Sequence, residues 1–255
     1  MKSLYFKTFG DSDPVLVILH GLFGSGQNWT SQARSLSEHY RVLLPDLRNH
    51  GQSPHDPAVS YPLMADDVRR LLDKLGVESF FLVGHSMGGK TAMRFALDHP
   101  NRVEKLAIVD IAPRAYPPHH DTIFSGLSKL DLGAIKSREE ASRQLTEAIP
   151  EEGIRAFLLT NLKKSGGAFH WQMNLPVLES QYSHIAAPIE ASNAYAGETL
   201  IIKGGESDYI SARDEADFHA LFSNLQLKII ANAGHWPHAE KPQVFYKLLL
   251  DFLMR

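Results

Sequence analysis

The stretch from residue 79 to residue 91 constrains the fold more than any other part of the chain. An apolar run at 80–83 predicts a buried strand, and the apolar spacing at 90–97 predicts a helix. Between them lies Gly84-His85-Ser86-Met87-Gly88. A strand that turns into a helix at G-x-S-x-G is typical of a nucleophile elbow, which lifts a serine hydroxyl clear of its backbone. Gly84 and Gly88 then occupy positions where a side chain would collide.

The same letters also match a phosphate-binding loop. Residues 84–91 satisfy the pattern G-x-x-x-x-G-K-[ST], whose backbone N–H groups cradle phosphates. Asp110, at the end of another apolar run, could then hold magnesium. Neither pattern decides the function by itself, so the choice depends on the rest of the chain.

Composition limits the class of protein. The 255 residues, 44% of them hydrophobic, suffice for one large α/β domain. A net charge of −3 gives no electrostatic reason to expect nucleic acid or an anionic membrane as a partner. The absence of cysteine excludes disulfides, thiolate zinc sites and a cysteine nucleophile. Charged Lys2 and Lys7 without a long apolar run predict no signal peptide, and no run reaches the roughly 18–20 residues that span a bilayer. We expect a cytoplasmic protein without membrane insertion.

Predicted strands and helices alternate along most of the chain. The strands are expected at 4–8, 15–19, 42–44, 80–83, 105–111, 199–203 and 226–230, and the helices at 29–39, 64–75, 90–97, 212–222 and 244–253. This alternation predicts an α/β fold with a mostly parallel sheet and helices on both faces. The rhythm breaks at 113–196, where only short helical patches at 139–148 and 154–162 are evident and no strand is. We therefore expect a helical cap at 113–196, inserted into a core made of 1–112 and 197–255.

The hydrolase interpretation of the elbow requires backbone donors for a developing oxyanion. The loop His20-Gly21-Leu22-Phe23-Gly24 follows an early strand and can supply an N–H from Leu22 or Phe23. Met87, directly after Ser86, can supply the second N–H. The phosphate-loop interpretation leaves this glycine-containing loop unexplained.

The hydrolase interpretation also requires a base and an acid in the chain order Ser, Asp, His. His235 follows the last predicted strand, where a loop histidine can reach back to Ser86. Asp208 follows the strand before it and is the natural candidate for the acid. Since both features are present, we favour a serine hydrolase over a nucleotide-binding protein.

Five motifs carry a family resemblance: HGLFGS (20–25), DLRNHGQSP (46–54), GHSMGGK (84–90), VDIAP (109–113) and AGHWPHAEKP (233–242). Through them the chain resembles the α/β-hydrolase superfamily and, more narrowly, the YbfF-type bacterial serine esterases. The resemblance implies an α/β-hydrolase fold with a helical cap, and no metal or organic cofactor. It also implies a carboxylesterase that hydrolyses short- to medium-chain acyl esters, with acyl-CoA thioesters as a second class, through an acyl-enzyme on Ser86. Relatives of this type can use the aspartate of VDIAP, here Asp110, as the acid. This chain has both candidates, and we prefer Asp208.

Several other residues enter as expectations. The aromatic side chains Phe23, Trp171, Tyr182 and Trp236 are candidates for lining a substrate pocket, with ordinary core packing as the equal alternative. Lys90 is expected to extend outward from its helix.

Two other function classes stay open on the same fold. One is a carbon–carbon hydrolase or a lyase of the menaquinone pathway, which would use arginines such as Arg48 for a polyanionic substrate; the other is a non-catalytic ligand-binding protein.

Overall fold

The computed structural model describes residues 3–255. Lys2, whose charge contributes to the expectation that no signal peptide is present, lies outside the described residues. The strands are β1 (Phe6–Phe9), β2 (Val15–Leu19), β3 (Arg41–Pro45), β4 (Phe80–His85), β5 (Val103–Val109), β6 (Leu162–Ser165), β7 (Ala168–Trp171), β8 (Glu198–Gly204) and β9 (Leu225–Ile230). The helices are α1 (Thr30–Leu36), α2 (Tyr61–Lys74), α3 (Met87–Asp98), α4 (Asp121–Lys129), α5 (Arg138–Gln144), α6 (Glu152–Leu158), α7 (Leu175–Ser180), α8 (Tyr182–Ala186), α9 (Glu215–Leu221), α10 (Pro237–Glu240) and α11 (Pro242–Leu253).

The central sheet has seven strands in the order β1-β3-β2-β4-β5-β8-β9. Strand β1 runs antiparallel to β3, and every other pairing in this sheet is parallel. The predicted α/β fold with a mostly parallel sheet is therefore confirmed. All seven predicted strands of this sheet are present, with ends displaced by up to two residues from the predicted bounds.

Side chains of the central strands alternate between two hydrophobic clusters. In β2, Val17 and Leu19 pack toward α2 and α3, whereas Leu16 and Ile18 pack toward α1 and α11. Every residue of β2 and β4 is buried, as expected for parallel strands that are covered by helices on both faces. Each such aliphatic side chain contributes about 1.5–3 kcal/mol on burial, so the middle of the sheet is a rigid base for the loops at its edge.

The segment between β5 and β8 contains α4 to α8 and also an antiparallel hairpin, β6–β7. The expectation that this segment carries no strand is wrong. The strands read LKKS and AFHW, too short and too polar to show an apolar alternation, and the preceding helix α6 ends at Leu158 instead of extending to 162. Gly166 and Gly167, both at positive φ, form the two-residue turn. The division into a core and a cap at 113–196 stays a prediction.

The carboxyl ends of the parallel strands meet at one edge of the sheet, where open α/β sheets bind ligands. The candidate catalytic residues lie at this edge: Ser86 follows β4, Asp110 follows β5, Asp208 follows β8 and His235 follows β9. The candidate oxyanion loop follows β2. None of the helices within residues 3–255 is long and apolar enough to cross a membrane.

Candidate active site

Ser86 lies at the bend between β4 and α3 with φ 53° and ψ −120°. This conformation is costly for a residue with a side chain, and it projects the hydroxyl away from both elements. A Cβ on Gly84 would lie 2.2 Å from the carbonyl oxygen of Gly88, and one on Gly88 would lie 2.5 Å from that of His20. The crowding expected on both sides of the serine is thus present, and it explains the two glycines.

His235, in the loop after β9, connects the serine to an aspartate. Its Nε2 lies 3.1 Å from Ser86 Oγ, and its Nδ1 lies 2.8 Å from Asp110 Oδ2. A carboxylate only accepts hydrogen bonds, so Nδ1 carries the ring proton and Nε2 is free to accept from the serine hydroxyl. The imidazole therefore has the tautomer that a general base for Ser86 requires.

Asp110 is fully buried and has φ 51° directly after β5. Its Oδ1 accepts from the Gly204 N–H at 2.9 Å, and its Oδ2 accepts from the Ser207 hydroxyl as well as from His235. The preference for Asp208 is corrected by this geometry. Asp208 is exposed, and within residues 3–255 it makes no hydrogen bond or ion pair with His235. The loop after β8 turns Ser207 inward, so the next side chain points to solvent.

The loop after β2 offers one of its two candidate donors to the site. The Phe23 N–H donates to His50 Nε2 at 3.3 Å, so it is already engaged. The Leu22 N–H makes no hydrogen bond to the described part of the chain. Met87 is the first residue of α3, and an N–H at that position has no acceptor within its helix. Of the predicted donors, Leu22 and Met87 are therefore the pair left open beside Ser86.

Two buried histidines hold this loop in place. His20 Nδ1 donates to the Gly21 carbonyl at 2.8 Å, and its Nε2 accepts from the Leu47 N–H at 2.9 Å. His50 Nδ1 donates to the Arg48 carbonyl at 2.9 Å. Burial lowers the pKa of His20 to about 4 and that of His50, with His20 nearby, to about 3. Both rings are thus neutral near pH 7, as their acceptor nitrogens require.

Two further residues contact His235, and no sequence motif marks either contact. His85 Nε2 donates to the His235 carbonyl at 2.7 Å, which ties the base to the end of β4. The Tyr209 ring stacks on the His235 ring with centroids 3.7 Å apart and planes 15° apart. The Tyr209 hydroxyl lies 2.8 Å from His119 Nε2. Their roles depend on contacts between distant parts of the chain, so sequence reasoning missed both, as it missed Ser207.

Two cavities open beside Ser86, one of about 810 Å³ and one of about 30 Å³. Of the predicted pocket residues, Phe23 and Trp236 line the large cavity, and Tyr182 lines the small one. Trp171 lines neither, because it lies on β7, paired with Leu162 in the hairpin. The substrate-pocket expectation for Trp171 is therefore not supported.

Lys90 also departs from its expectation. Its side chain is buried, and its Nζ donates to the carbonyls of Arg114 and Ala187 at 2.7 and 2.6 Å. Burial, and then the charge of Arg114, lower the pKa of Lys90 to about 7. The outward orientation is wrong because the segment between β5 and β8 covers this face of α3.

Arg48 is also buried, and it pairs with Asp67 at 2.7 Å, away from both cavities. Among the His, Asp and Glu side chains of residues 3–255, no group of three or more is arranged to hold a metal ion.

Comparison with known proteins agrees with this architecture. The family model for the alpha/beta hydrolase fold matches residues 14–138. The chain is 41% identical to the mouse sn-1-specific diacylglycerol lipase ABHD11, over 94% of this chain and 81% of that protein. It is 38% identical to esterase YbfF of Escherichia coli K12, over 93% of this chain and 92% of that protein.

A solved structure titled as a marine microorganism esterase superposes with a TM-score of 0.96 at 38% identity, covering 98% of this chain and 99% of that one. Relatives of this identity span nearly the whole chain, and their names are those of esterases and lipases. The protein is an enzyme that hydrolyses esters, and it belongs to the α/β-hydrolase family of serine hydrolases.

Proposed function

We propose that the protein is a carboxylesterase that hydrolyses short- to medium-chain acyl esters, and acyl-CoA thioesters as a second class, through an acyl-enzyme on Ser86. The observation that carries this proposal is the continuous set of contacts from Ser86 Oγ through the His235 ring to Asp110. It supplies a nucleophile, a base of the right tautomer and a buried partner for that base.

The chemistry follows from the positions of these atoms. His235 Nε2 takes the hydroxyl proton as Ser86 Oγ attacks the carbonyl carbon. The negative charge that develops on the carbonyl oxygen is stabilised by the N–H groups of Leu22 and Met87, and each such donor is worth roughly 10²–10³ in turnover. Asp110 stabilises the imidazolium through the Nδ1 proton. His235 then protonates the leaving alcohol or thiol as its bond to the acyl carbon breaks, and a water molecule reverses the steps to release the acid.

The cavity next to His235 suits a sizeable organic substrate. Its volume of about 810 Å³ lies within the range of about 300–1,000 Å³ that is common for small-molecule sites. Phe23, Phe157 and Trp236 contribute apolar walls to it. The name of the mouse relative refers to a glycerol ester, and esters of alcohols of that size fit this space.

Two other classes of function are less well supported. A lyase or carbon–carbon hydrolase that takes a polyanionic substrate needs cationic side chains in its pocket. The large cavity instead contains Glu151 and Glu240, and Arg48 is engaged with Asp67 outside it. A non-catalytic binding protein would have no use for a hydroxyl held by a base in the reactive tautomer.

Replacement of Ser86 by alanine tests the proposal. Ser86→Ala should lower the turnover of p-nitrophenyl acetate and butyrate by about four orders of magnitude or more, because no other group can form the acyl-enzyme. The matched control is Ser180→Ala, an exposed serine at the end of α7, which should keep full activity. A fluorophosphonate probe should label the wild type and Ser180→Ala but not Ser86→Ala. Full activity of Ser86→Ala would refute the proposal, and a wild type that hydrolyses these esters without reacting with the probe would refute the acyl-enzyme on Ser86.

A further inference from the structure

The two cavities meet at Ser86 but extend in different directions from it. Leu22, Ser86 and Tyr209 line both. His235 and its neighbour Trp236 line the large cavity only. Met87 and Lys90, on the first turns of α3, line the small cavity only. The base therefore faces one cavity, and the start of the helix faces the other.

The reaction assigns the two halves of an ester to these two sides. The leaving oxygen must be within reach of His235 Nε2, since that nitrogen returns the proton to it. The carbonyl oxygen must lie between the N–H groups of Leu22 and Met87. With these two positions occupied, the alcohol extends into the cavity that contains His235, and the acyl chain extends away from it, into the cavity beside α3.

The small cavity limits what an acyl chain can be. Its volume of about 30 Å³ accommodates about two groups of the size of a water molecule. That is room for the carbons of an acetyl or propionyl group beyond the carbonyl, and for little more. The large cavity, by contrast, places no comparable limit on the alcohol.

The walls of the small cavity are held in place by hydrogen bonds. The Tyr61 hydroxyl donates to the Ile185 carbonyl, and the Tyr116 hydroxyl donates to the Tyr209 carbonyl at 2.5 Å. The Tyr182 hydroxyl lies 2.6 Å from His120 Nδ1. A longer acyl chain would have to displace rings that are anchored at both the sheet edge and the segment between β5 and β8.

We infer that the small cavity is an acyl-specificity pocket, so that the enzyme acts on acetyl and propionyl esters of large alcohols and discriminates against longer acyl chains. The inference rests on the proposed function and narrows it to a substrate class. Ile185 lines the small cavity and not the large one, and it takes no part in the contacts among Ser86, His235 and Asp110, so it is the residue chosen to change acyl length.

Two series of esters test the assignment. In the first, p-nitrophenyl esters vary from acetate through propionate and butyrate to hexanoate and octanoate. We expect kcat/KM to fall at least tenfold between propionate and hexanoate. In the second, acetate esters vary from methyl through butyl to octyl and monoacetyl glycerol, and kcat/KM should stay within about threefold or rise with the size of the alcohol. The reverse pattern, with long acyl chains accepted and large alcohols rejected, would overturn the inference.

A pair of variants adds a readout at the residue level. Ile185→Ala enlarges the small cavity and should raise the hexanoate-to-acetate ratio of kcat/KM at least tenfold. The matched control, Ile154→Ala, makes the same change in the wall of the large cavity and should leave that ratio within about threefold. Both rates come from one protein sample, so the ratio does not depend on the folded fraction. A ratio that shifts in Ile154→Ala and not in Ile185→Ala contradicts the inference.

The outcomes also separate this inference from the proposed function. If every ester is hydrolysed at Ser86 without regard to acyl length, the esterase stands and the pocket assignment fails. If no ester is hydrolysed and the fluorophosphonate probe does not label Ser86, both fail together.

Discussion

Asp110 reaches His235 because the backbone turns back directly after β5. Its φ of 51° points the carboxylate along the sheet edge, toward the loop after β9. The Gly204 N–H and the Ser207 hydroxyl then fix the carboxylate, so its remaining lone pairs face the His235 ring. A backbone conformation of this kind is costly and persists where the surroundings over-determine it. These contacts favour Asp110 as the residue that orients the base.

A comparison of two asparagine variants tests this role. In Asp110→Asn, the Gly204 N–H still binds the amide oxygen, which turns the amide NH₂ toward His235 Nδ1. That nitrogen must then accept, the ring proton moves to Nε2, and the base can no longer take the serine proton. We expect kcat for p-nitrophenyl acetate to fall about 10⁴-fold.

Asp208→Asn is the matched control for this substitution. The Asp208 side chain is exposed, and no hydrogen bond or ion pair joins it to His235 within residues 3–255, so kcat should change by less than about threefold. Circular dichroism should report a folded protein for both variants. Comparable mild losses in the two variants would mean that the two aspartates share the role, and a large loss in Asp208→Asn alone would restore the first preference.

The sequence allowed Ser86 and His235 to be singled out because each is marked by its immediate neighbours: two glycines in a bend, and a loop just after the last strand. The neighbours of the two aspartates did not show which of them is the acid of the site. Asp110 and Asp208 both follow strands, and the difference between them lies in a positive φ and in the inward turn of Ser207. Tyr209 and His85 were missed for the same reason, since a ring stack and a bond to a carbonyl leave no pattern in the sequence.

At the scale of elements, long buried strands were predictable and the hairpin was not. Strand β2 reads VLVIL and has the predicted ends, because continuous apolar runs bounded by turn residues are typical of buried parallel strands. The hairpin β6–β7 is largely exposed and depends on its pairing across Gly166 and Gly167. The glycine pair was the one local signal for it.

Helix α3 connects the nucleophile to the segment that covers it. Lys90, one turn after Ser86, donates to the carbonyls of Arg114 and Ala187, which lie near the two ends of that segment. The same two ends are joined by hydrogen bonds from the Tyr116 and Ile189 N–H groups. The lysine therefore holds both ends against α3, beside the small cavity.

Lys90→Met tests this connection. The substitution leaves the two carbonyls without their donor, and the free energy of unfolding should fall by about 1–3 kcal/mol. Hydrogen exchange of the Tyr116 and Ile189 amides should accelerate, because the ends of the segment separate more readily. Because the part of the segment that contributes Ile185 to the small cavity is then held less firmly, kcat/KM for p-nitrophenyl acetate should fall about tenfold.

Lys105→Met is the control for a buried lysine at another place. Lys105, on β5, donates to the Phe252 carbonyl at 3.0 Å on the opposite face of the sheet. Its loss should affect stability but leave exchange at 113–118 and 185–189 unchanged. Equal acceleration at these amides in both variants would show that Lys90 has no special connection to the segment.

At the scale of the molecule, buried histidines cluster at the carboxyl edge of the sheet. Burial lowers the pKa of His20 to about 4, that of His50, His120 and His238 to about 3, and that of His85 to well below its usual value. The unfolded chain binds protons at these positions below about pH 6.5, whereas the folded chain does not. At pH 5 each ring whose pKa is about 3 or 4 costs about 2 kcal/mol of stability. Several rings together therefore rival the usual total of about 5–15 kcal/mol, and we expect the enzyme to unfold on acidification between about pH 6.5 and pH 4.

His238 is suited to a test because its ring stacks on Trp29, with centroids 4.0 Å apart, and packs on His85, and within residues 3–255 it makes no hydrogen bond to Ser86 or His235. Glutamine at this position binds no proton in either state. In His238→Gln, the free energy of unfolding from urea titrations between pH 6 and pH 4.5 should therefore decline less steeply, by about 1.4 kcal/mol per pH unit. His170→Gln, an exposed histidine on β7, should leave the wild-type slope unchanged. If His238→Gln also keeps the wild-type slope, this ring takes up its proton in the folded protein, and the acid sensitivity has another origin.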